Sequence, residues 1–248
     1  DIKTNDLIWT RDEQGNYYLG RVLKGWVYEN DKKSLSHDVP NQRKCEWVTI
    51  GTEDKVPGHV VAGFRATRTL QRVLNGKKEG VALSKWLFNQ KVEKQNKEYK
   101  KYENPLANLH ESLEPAEKFF AMIGSDDCED IVGLYLQLEK GYTFIPSSCK
   151  KNTASHEFIL INKNGKLISG QVKQGNVKIN TDLLNQDFEE YYLLSTEGSI
   201  IQNHNSQKTQ TRFIELSKEE LFNFVDKNID IMPAKISHWL GILKEIEG

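Results

Sequence analysis

Short apolar runs separated by polar turns dominate the first 60 residues of the chain. Segments 6–10 and 17–22 flank a polar turn at residues 12–16, and two further apolar segments cover 25–28 and 45–50. Their aromatic and β-branched residues are typical of strands, and the first pair predicts a hairpin. We therefore expect a small β-rich module at the start of the chain.

The spacing of apolar residues becomes helical after this module. Residues 67–74 predict a short helix, and a continuous helix through this region would place Arg65, Arg68 and Arg72 on one side, where they could contact phosphates. Residues 81–102 predict a longer Lys-rich helix with apolar residues on one side. We expect this longer helix to connect two modules.

The second half of the chain predicts a sheet flanked by helices. The predicted elements are a capped helix at 126–137, a hairpin at 155–173, a short helix at 180–184, strands at 190–196 and 212–216, a helix capped by Ser217 at 217–225, and a last helix at 233–246. This order of elements is consistent with an α/β sandwich.

The predicted hairpin carries the most informative polar residues. Side chains alternate along a strand, so Gln171 and Lys173 point to one face, where Glu157 on the first strand can meet them. Glu157 and Gln171 offer oxygen ligands for a divalent metal, and Lys173 offers a cation beside a phosphate. The alternative is that these three residues only form the solvated face of an antiparallel hairpin.

The helical run from Asp126 to Gln137, then Glu157, then Gln171-Val172-Lys173, resembles the core of the PD-(D/E)XK nucleases, and the Gln-x-Lys form is similar to the Mrr-like restriction endonucleases. The resemblance covers about residues 118–230. It implies a restriction-endonuclease-like α/β sandwich with a mixed central sheet, and Mg²⁺ or Mn²⁺ held by Glu157 and Gln171.

The same resemblance implies that Glu129 contributes a further acid, although an acid near a helix start also favours the helix dipole. The first acid of the family is usually Asp, whereas this chain has Glu157. The longer side chain leaves a rival interpretation open, namely a catalytically inactive nuclease-like module that binds nucleic acid or a protein partner.

The N-terminal segments Asp6-Leu7-Ile8-Trp9 and Gly20-Arg21-Val22 resemble the opening of SH3-like barrels of the Tudor and PWWP type. Such barrels use surface aromatic rings to bind a cation or to stack on a base. Trp9, Tyr18 and Trp26 are the candidates for this role. Two alternatives stay open: the rings fill the core of the barrel, or the barrel binds a methylated protein tail.

The composition of the chain excludes several functional classes of protein but does not select one. The 248 residues have a formal net charge of −1, but residues 60–101 carry eleven basic and three acidic side chains, which form a phosphate-facing surface or merely solvate exposed helices. The three cysteines form no Cys-x-x-Cys pair, and the chain has no P-loop, His-Glu-x-x-His or Gly-x-Ser-x-Gly motif. No apolar run approaches the roughly 20 residues that cross a bilayer, so we expect a cytoplasmic protein.

These observations combine into one hypothesis. Residues 1–75 would form the recognition domain, residues 76–103 a basic helical connector, and residues 104–248 the nuclease domain. The expected activity is Mg²⁺-dependent cleavage of double-stranded DNA, modified or unmodified, by an enzyme of restriction or antiviral defence. The expected assembly is a homodimer, without a membrane partner.

Overall fold

The computed structural model describes residues 2–65, 70–73, 78–106, 114–149, 157–184, 187–202 and 211–248, except for the side chain of Lys78. The chain divides into two compact units, residues 1–112 and residues 113–248. Both contain helices and strands, so the predicted α/β class is confirmed at this level. Within the described ranges, every helix is too short or too polar to cross a lipid bilayer.

The first unit is built on a three-stranded antiparallel sheet. Its strands are β1 (Leu7–Arg11), β2 (Tyr17–Val22) and β5 (Cys45–Gly51), with β2 in the centre. The two-stranded ribbon of β3 (Val27–Tyr28) and β4 (Asn41–Gln42) lies between β2 and β5 in the chain. The predicted hairpin is confirmed by the pairing of β1 with β2. The strands described here form no closed barrel, so the SH3-like barrel is not confirmed.

The described residues of the first unit also form three α-helices: α1 (Lys32–Ser36), α2 (Gly58–Phe64) and α3 (Lys78–Lys94). The Lys-rich helix that was expected as a connector is α3, which lies within the first unit. Leu83, Leu87 and Phe88 on α3 are buried. Burial of these apolar residues stabilises α3 as part of the core of the first unit.

The predicted end of the Lys-rich helix at residue 102 is wrong, because α3 ends at Lys94. Asn96 adopts a left-handed conformation with φ of 49°, which Asn tolerates better than most residues. The chain then returns along α3, where Asn89 exchanges two 2.8 Å hydrogen bonds with the backbone of Tyr102. The ring of Tyr102 also packs edge-on against Phe88. Packing of the return segment therefore replaces further turns of helix.

The second unit contains a five-stranded mixed sheet in the order β12-β10-β8-β7-β6. The five strands are β6 (Thr143–Phe144), β7 (Phe158–Ile161), β8 (Leu167–Lys173), β10 (Glu190–Ser195) and β12 (Arg212–Glu215). Strand β10 is parallel to β8 and β12, whereas β6, β7 and β8 pair antiparallel. A separate parallel ribbon joins β9 (Ile179–Asn180) to β11 (Ile200–Ile201).

The part of the second unit that the structure describes contains four α-helices: α4 (Pro115–Met122), α5 (Ser125–Leu138), α6 (Lys218–Lys227) and α7 (Ala234–Glu247). Helix α5 contacts β8, and α4 contacts both α6 and α7. The fully buried ring of Trp239 on α7 belongs to the core of this unit. The predicted cap of α6 is confirmed, because Ser217 Oγ accepts a hydrogen bond from the Glu220 amide at 3.0 Å.

Candidate functional site

The β7–β8 hairpin positions the polar residues that the sequence singled out. Its turn is closed by Asn162, whose Oδ1 accepts hydrogen bonds from the amides of Asn164 at 2.9 Å and Lys166 at 3.0 Å. Gly165 has φ of 75°, a left-handed conformation that favours glycine. The turn therefore fixes the register in which the two strands pair.

This register places Glu157 opposite Gln171. Phe158 pairs with Gly170, and the amide of Glu157 donates to the carbonyl of Gly170 at 3.1 Å. A Cβ atom at position 170 would lie 2.8 Å from the ring of Phe158, so glycine is needed for this close approach. The strand entering the site is therefore held tightly against its neighbour.

Three predicted site residues meet at this end of the hairpin. The Nζ of Lys173 donates to Oε1 of Glu157 at 2.9 Å, and Nε2 of Gln171 donates to the same oxygen at 2.5 Å. The side chain of Glu157 is 18% exposed, so its carboxylate stays accessible from solvent. Together these contacts place an amide and an ammonium group within hydrogen-bonding distance of the same carboxylate oxygen.

Gln171 is the most unusual member of this group. It is only 2% exposed, and its Oε1 has no hydrogen-bond partner among the described residues. Gln171 lies in the central strand β8, where it pairs with Leu193 of β10. An unpaired buried acceptor costs free energy, so it indicates a place for a ligand with positive charge or a donor.

Glu129 on α5 lies close enough to this group to interact with it electrostatically. The pKa of Glu129 is raised to about 7, chiefly by burial and next by the Glu157 carboxylate, while Lys173 offsets this rise only in part. A helix dipole alone would lower the pKa of an acid near the start of α5. Asp127 stabilises that start instead, because its carboxylate accepts from the Gly124 amide at 2.7 Å and pairs with Lys235 at 2.9 Å.

Gln174 was not singled out from the sequence, yet it ties the end of β8 to the helices. Its Nε2 donates to the carbonyl of Ile123 and, at 3.5 Å, to that of Phe120. These carbonyls lie at the end of α4, directly before the helix that carries Glu129. Gln174 therefore fixes the position of Lys173 relative to the helix that carries Glu129. No sequence pattern predicts this contact, because the partners are backbone carbonyls about 50 residues away.

The predicted metal ligands form a partial set. The two predicted ligands, Glu157 and the unpaired Oε1 of Gln171, supply oxygen atoms of the kind that Mg²⁺ and Mn²⁺ prefer. Over the described ranges, however, no three His, Cys, Asp or Glu side chains converge as a metal site. The residues therefore fit an ion that keeps several water ligands, as Mg²⁺ commonly does.

The predicted arginine helix is wrong where the structure describes it. Helix α2 ends at Phe64, Arg65 follows as its cap, and residues 70–73 are not helical. The side chain of Gln71 donates to the carbonyl of Gly63, so Gln71 lies beside the end of α2. Arg65 and Arg72 are both exposed but do not share a helix face, and Arg68 lies outside the described residues.

The three candidate aromatic residues differ in their surroundings. Trp9 is half-buried, and its Nε1 donates to Ser84 Oγ on α3 at 3.3 Å. Tyr18 is also half-buried and donates from its hydroxyl to Asp12 Oδ2 at 2.9 Å. Trp26 is 57% exposed, and so is Tyr28, which was not among the candidates. Of the three, Trp26 offers the ring most open to a ligand.

Comparison of the chain with protein-family models found no matching family, and comparison with curated proteins and with solved structures found no significant match.

Proposed function

We propose that the second unit is a metal-dependent endonuclease module of the PD-(D/E)XK type that acts on double-stranded DNA. The observation that carries this proposal is the meeting of Glu157, Gln171 and Lys173 beside Glu129, with a buried amide oxygen left unpaired. Two acids, an amide and a lysine suit phosphodiester hydrolysis better than they suit a structural contact, which would leave no acceptor unpaired.

The topology of the sheet also supports the proposal. In the PD-(D/E)XK nucleases that the chain resembles, the first acid and the Gln-x-Lys motif lie on neighbouring strands of a mixed sheet. Here the antiparallel pair β7–β8 is continued by the parallel strand β10. Such a sheet leaves the ends of β7 and β8 that carry Glu157 and Lys173 at one edge, where a DNA backbone can approach.

Each residue has a role that follows from its surroundings. Glu129, with a pKa of about 7, is present in both protonation states near neutral pH and can accept the proton of an attacking water. Lys173 carries a positive charge to the place where negative charge develops on the phosphate. Glu157 and Gln171 would hold Mg²⁺, which lowers the pKa of a bound water and neutralises charge when it is present.

One observation favours a second candidate, the inactive nuclease-like module. The ion pair between Lys173 and Glu157 occupies the space in which a metal would bind. A saturated ion pair here would leave a surface that binds nucleic acid without cleaving it. The two candidates share the DNA ligand and differ in whether metal displaces Lys173 from Glu157.

Cleavage of supercoiled plasmid DNA with Mg²⁺ or Mn²⁺ tests the proposal. We expect Lys173→Ala to lower the cleavage rate by at least about 100-fold, as loss of a charge-stabilising group does, while DNA affinity stays within a few fold. Lys166→Ala, in the exposed turn of the same hairpin, is the matched control and should cleave like the wild type. DNA binding without cleavage by the wild type with either metal would establish the second candidate.

A further inference from the structure

The segment between β2 and β5 forms an arm that lies largely in solvent. The arm, residues 24–44, contains the β3–β4 ribbon and α1, and the structure describes all of it. Ser34 is the one buried residue in this range. Both strands of the ribbon are partly or fully exposed on both faces, so the arm does not use its apolar residues to pack on a core.

Hydrogen bonds hold the arm in one conformation instead. Asp31 caps α1 by accepting from the amides of Lys33 and Ser34, both at 3.0 Å. Ser34 Oγ then accepts from Nε2 of Gln42 at 2.9 Å, which ties α1 to the ribbon. The Nε1 of Trp26 donates to Asn41 Oδ1 at 3.1 Å across the ribbon. The arm is therefore ordered before any partner binds, which lowers the entropy cost of binding.

Large apolar side chains remain exposed on this ordered arm. Trp26 comes directly before β3, and its indole bonds to the side chain of Asn41, the strand partner of Tyr28, so Trp26 and Tyr28 lie on the same face of the ribbon. Val27 points to the opposite face, and Leu35 and Val39 are exposed nearer the tip. An exposed group of this kind on a defined structure marks an interaction surface.

The charges of the arm identify the class of partner. Basic residues outnumber acidic ones in the arm. It carries five basic residues, Lys24, Lys32, Lys33, Arg43 and Lys44, and three acidic residues, Glu29, Asp31 and Asp38. The carboxylate of Asp31 is already used by α1 and Ser34. The basic residues lie both at the base and near the tip of the arm, so they could contact phosphates on either side of an inserted ribbon.

We propose that this arm enters the major groove of double-stranded DNA. A two-stranded ribbon fits the width of that groove, and exposed apolar side chains contact base edges and thymine methyl groups there. Trp26 and Tyr28 then read the groove, and Arg43 and Lys44 bind the flanking phosphates. The inference deepens the proposed function by naming the DNA-reading surface, and it rests on DNA being the ligand of the chain but not on cleavage.

Fluorescence anisotropy of the full chain with a labelled DNA duplex, measured without divalent metal, tests the arm separately from catalysis. We expect the double variant Trp26→Ala/Tyr28→Ala to weaken binding by about tenfold or more, because it removes two large apolar contacts with base edges and thymine methyl groups. Arg43→Ala/Lys44→Ala should reduce the salt dependence by about 1.8 logarithmic units, roughly 0.9 for each phosphate contact. The exposed pairs Lys163→Ala/Lys166→Ala and Leu183→Ala/Ile231→Ala are matched controls for charge and apolar surface.

Two further measurements make the outcome decisive. Trp26→Phe keeps a ring but loses the bond to Asn41, and it should bind more tightly than the double alanine variant. An RNA duplex of the same sequence should bind more weakly than DNA, because its major groove is too narrow for a ribbon.

Unchanged DNA affinity in both arm variants would overturn the proposal. Loss of self-association in sedimentation, with unchanged DNA affinity, would overturn it in favour of a second copy of the chain. Wild-type binding with arm dependence but no cleavage with metal would reject only the nuclease activity.

Discussion

Two glutamate clusters lie on the same five-stranded sheet and differ in how completely their hydrogen bonds are satisfied. Glu190, at the start of β10, accepts from the hydroxyls of Tyr142 at 2.7 Å and Tyr192 at 2.9 Å, and it also pairs with Arg212. Glu157 precedes β7 at the opposite end of the sheet. It accepts a hydrogen bond from Gln171 of β8, whose own buried oxygen is unpaired.

The pKa shifts of the two regions run in opposite directions. Burial raises the pKa of Glu190, but the hydrogen bonds of Tyr142 and Tyr192 and the charge of Arg212 outweigh it, so the pKa lies below its usual value. At the other site, burial and the Glu157 carboxylate raise the pKa of Glu129 to about 7. The saturated cluster therefore stabilises the fold, whereas the unsatisfied one is prepared for a ligand.

The largest stability effect should come from the saturated cluster. Glu190→Gln removes the charged acceptor of three donors, and we expect the free energy of unfolding at pH 7 to fall by about 2 kcal/mol. Glu157→Gln should change it by less than about 1 kcal/mol, because it loses an accessible ion pair but also relieves repulsion of Glu129. Urea denaturation of both variants measures this difference.

The pH dependence sharpens the same comparison. Since the pKa of Glu190 is lowered in the folded protein, its contribution is present above the unfolded pKa and is lost as the pH falls through the folded value. The loss caused by Glu190→Gln should therefore shrink in acid. Equal destabilisation by Glu157→Gln and Glu190→Gln at pH 7 would mean that the two clusters do not differ in the way described.

A smaller effect should follow from adding an acid at the unsatisfied cluster. Gln171→Glu places a third carboxylate beside Glu157 and Glu129, and we expect it to lower the free energy of unfolding by about 1–2 kcal/mol in the presence of a chelator. Mg²⁺ should restore the loss, because an ion that binds only the folded state stabilises it. Thermal unfolding with and without Mg²⁺ measures both effects.

Gln202→Glu, at an exposed position, serves as the control and should show no Mg²⁺-dependent shift of the melting temperature. If Mg²⁺ leaves the melting temperature of Gln171→Glu unchanged, the cluster does not bind the ion, and the second candidate function is favoured.

Local sequence signals predicted the part of the fold that carries the site. The Asn162-to-Gly165 turn defines the hairpin, and the two-residue period of a strand then places Gln171 and Lys173 on one face opposite Glu157. The turn and the alternation of side chains both belong to one hairpin, so the pattern of that segment is enough to predict them.

Other features depend on single side-chain contacts or on neighbouring strands that no repeating pattern marks, and they could not be predicted in the same way. The return of the chain after α3 is held by the bonds between Asn89 and Tyr102, and the position of Gln71 is held by its bond to Gly63. The position of Gln171 inside the sheet depends on its pairing with Leu193 in another strand. The pattern of one segment does not contain these partners, which explains why the arginine helix and the long Lys-rich helix were predicted wrongly.

The smallest predicted effect concerns the titration of Glu129. Between the ordinary value of 4.5 and its own pKa of about 7, the folded protein keeps a proton that the unfolded chain releases. The free energy of unfolding therefore falls as the pH rises through this window. Glu129→Gln cannot titrate, so its stability should stay level between pH 5 and pH 7 and should exceed that of the wild type at pH 8 by about 1 kcal/mol, a figure reduced for partial exposure.

Chemical denaturation at several pH values measures this slope, with Glu219→Gln on the exposed side of α6 as the control that should retain the wild-type slope. Removal of the neighbouring charge gives an independent check, because Glu157→Gln should lower the pKa of Glu129 and move the slope to lower pH. Saturating Mg²⁺ should act in the same direction, since a cation favours the charged carboxylate. Identical slopes for the wild type and Glu129→Gln would show that Glu129 is already ionised below pH 5, and it would then have no role as a proton acceptor near neutral pH.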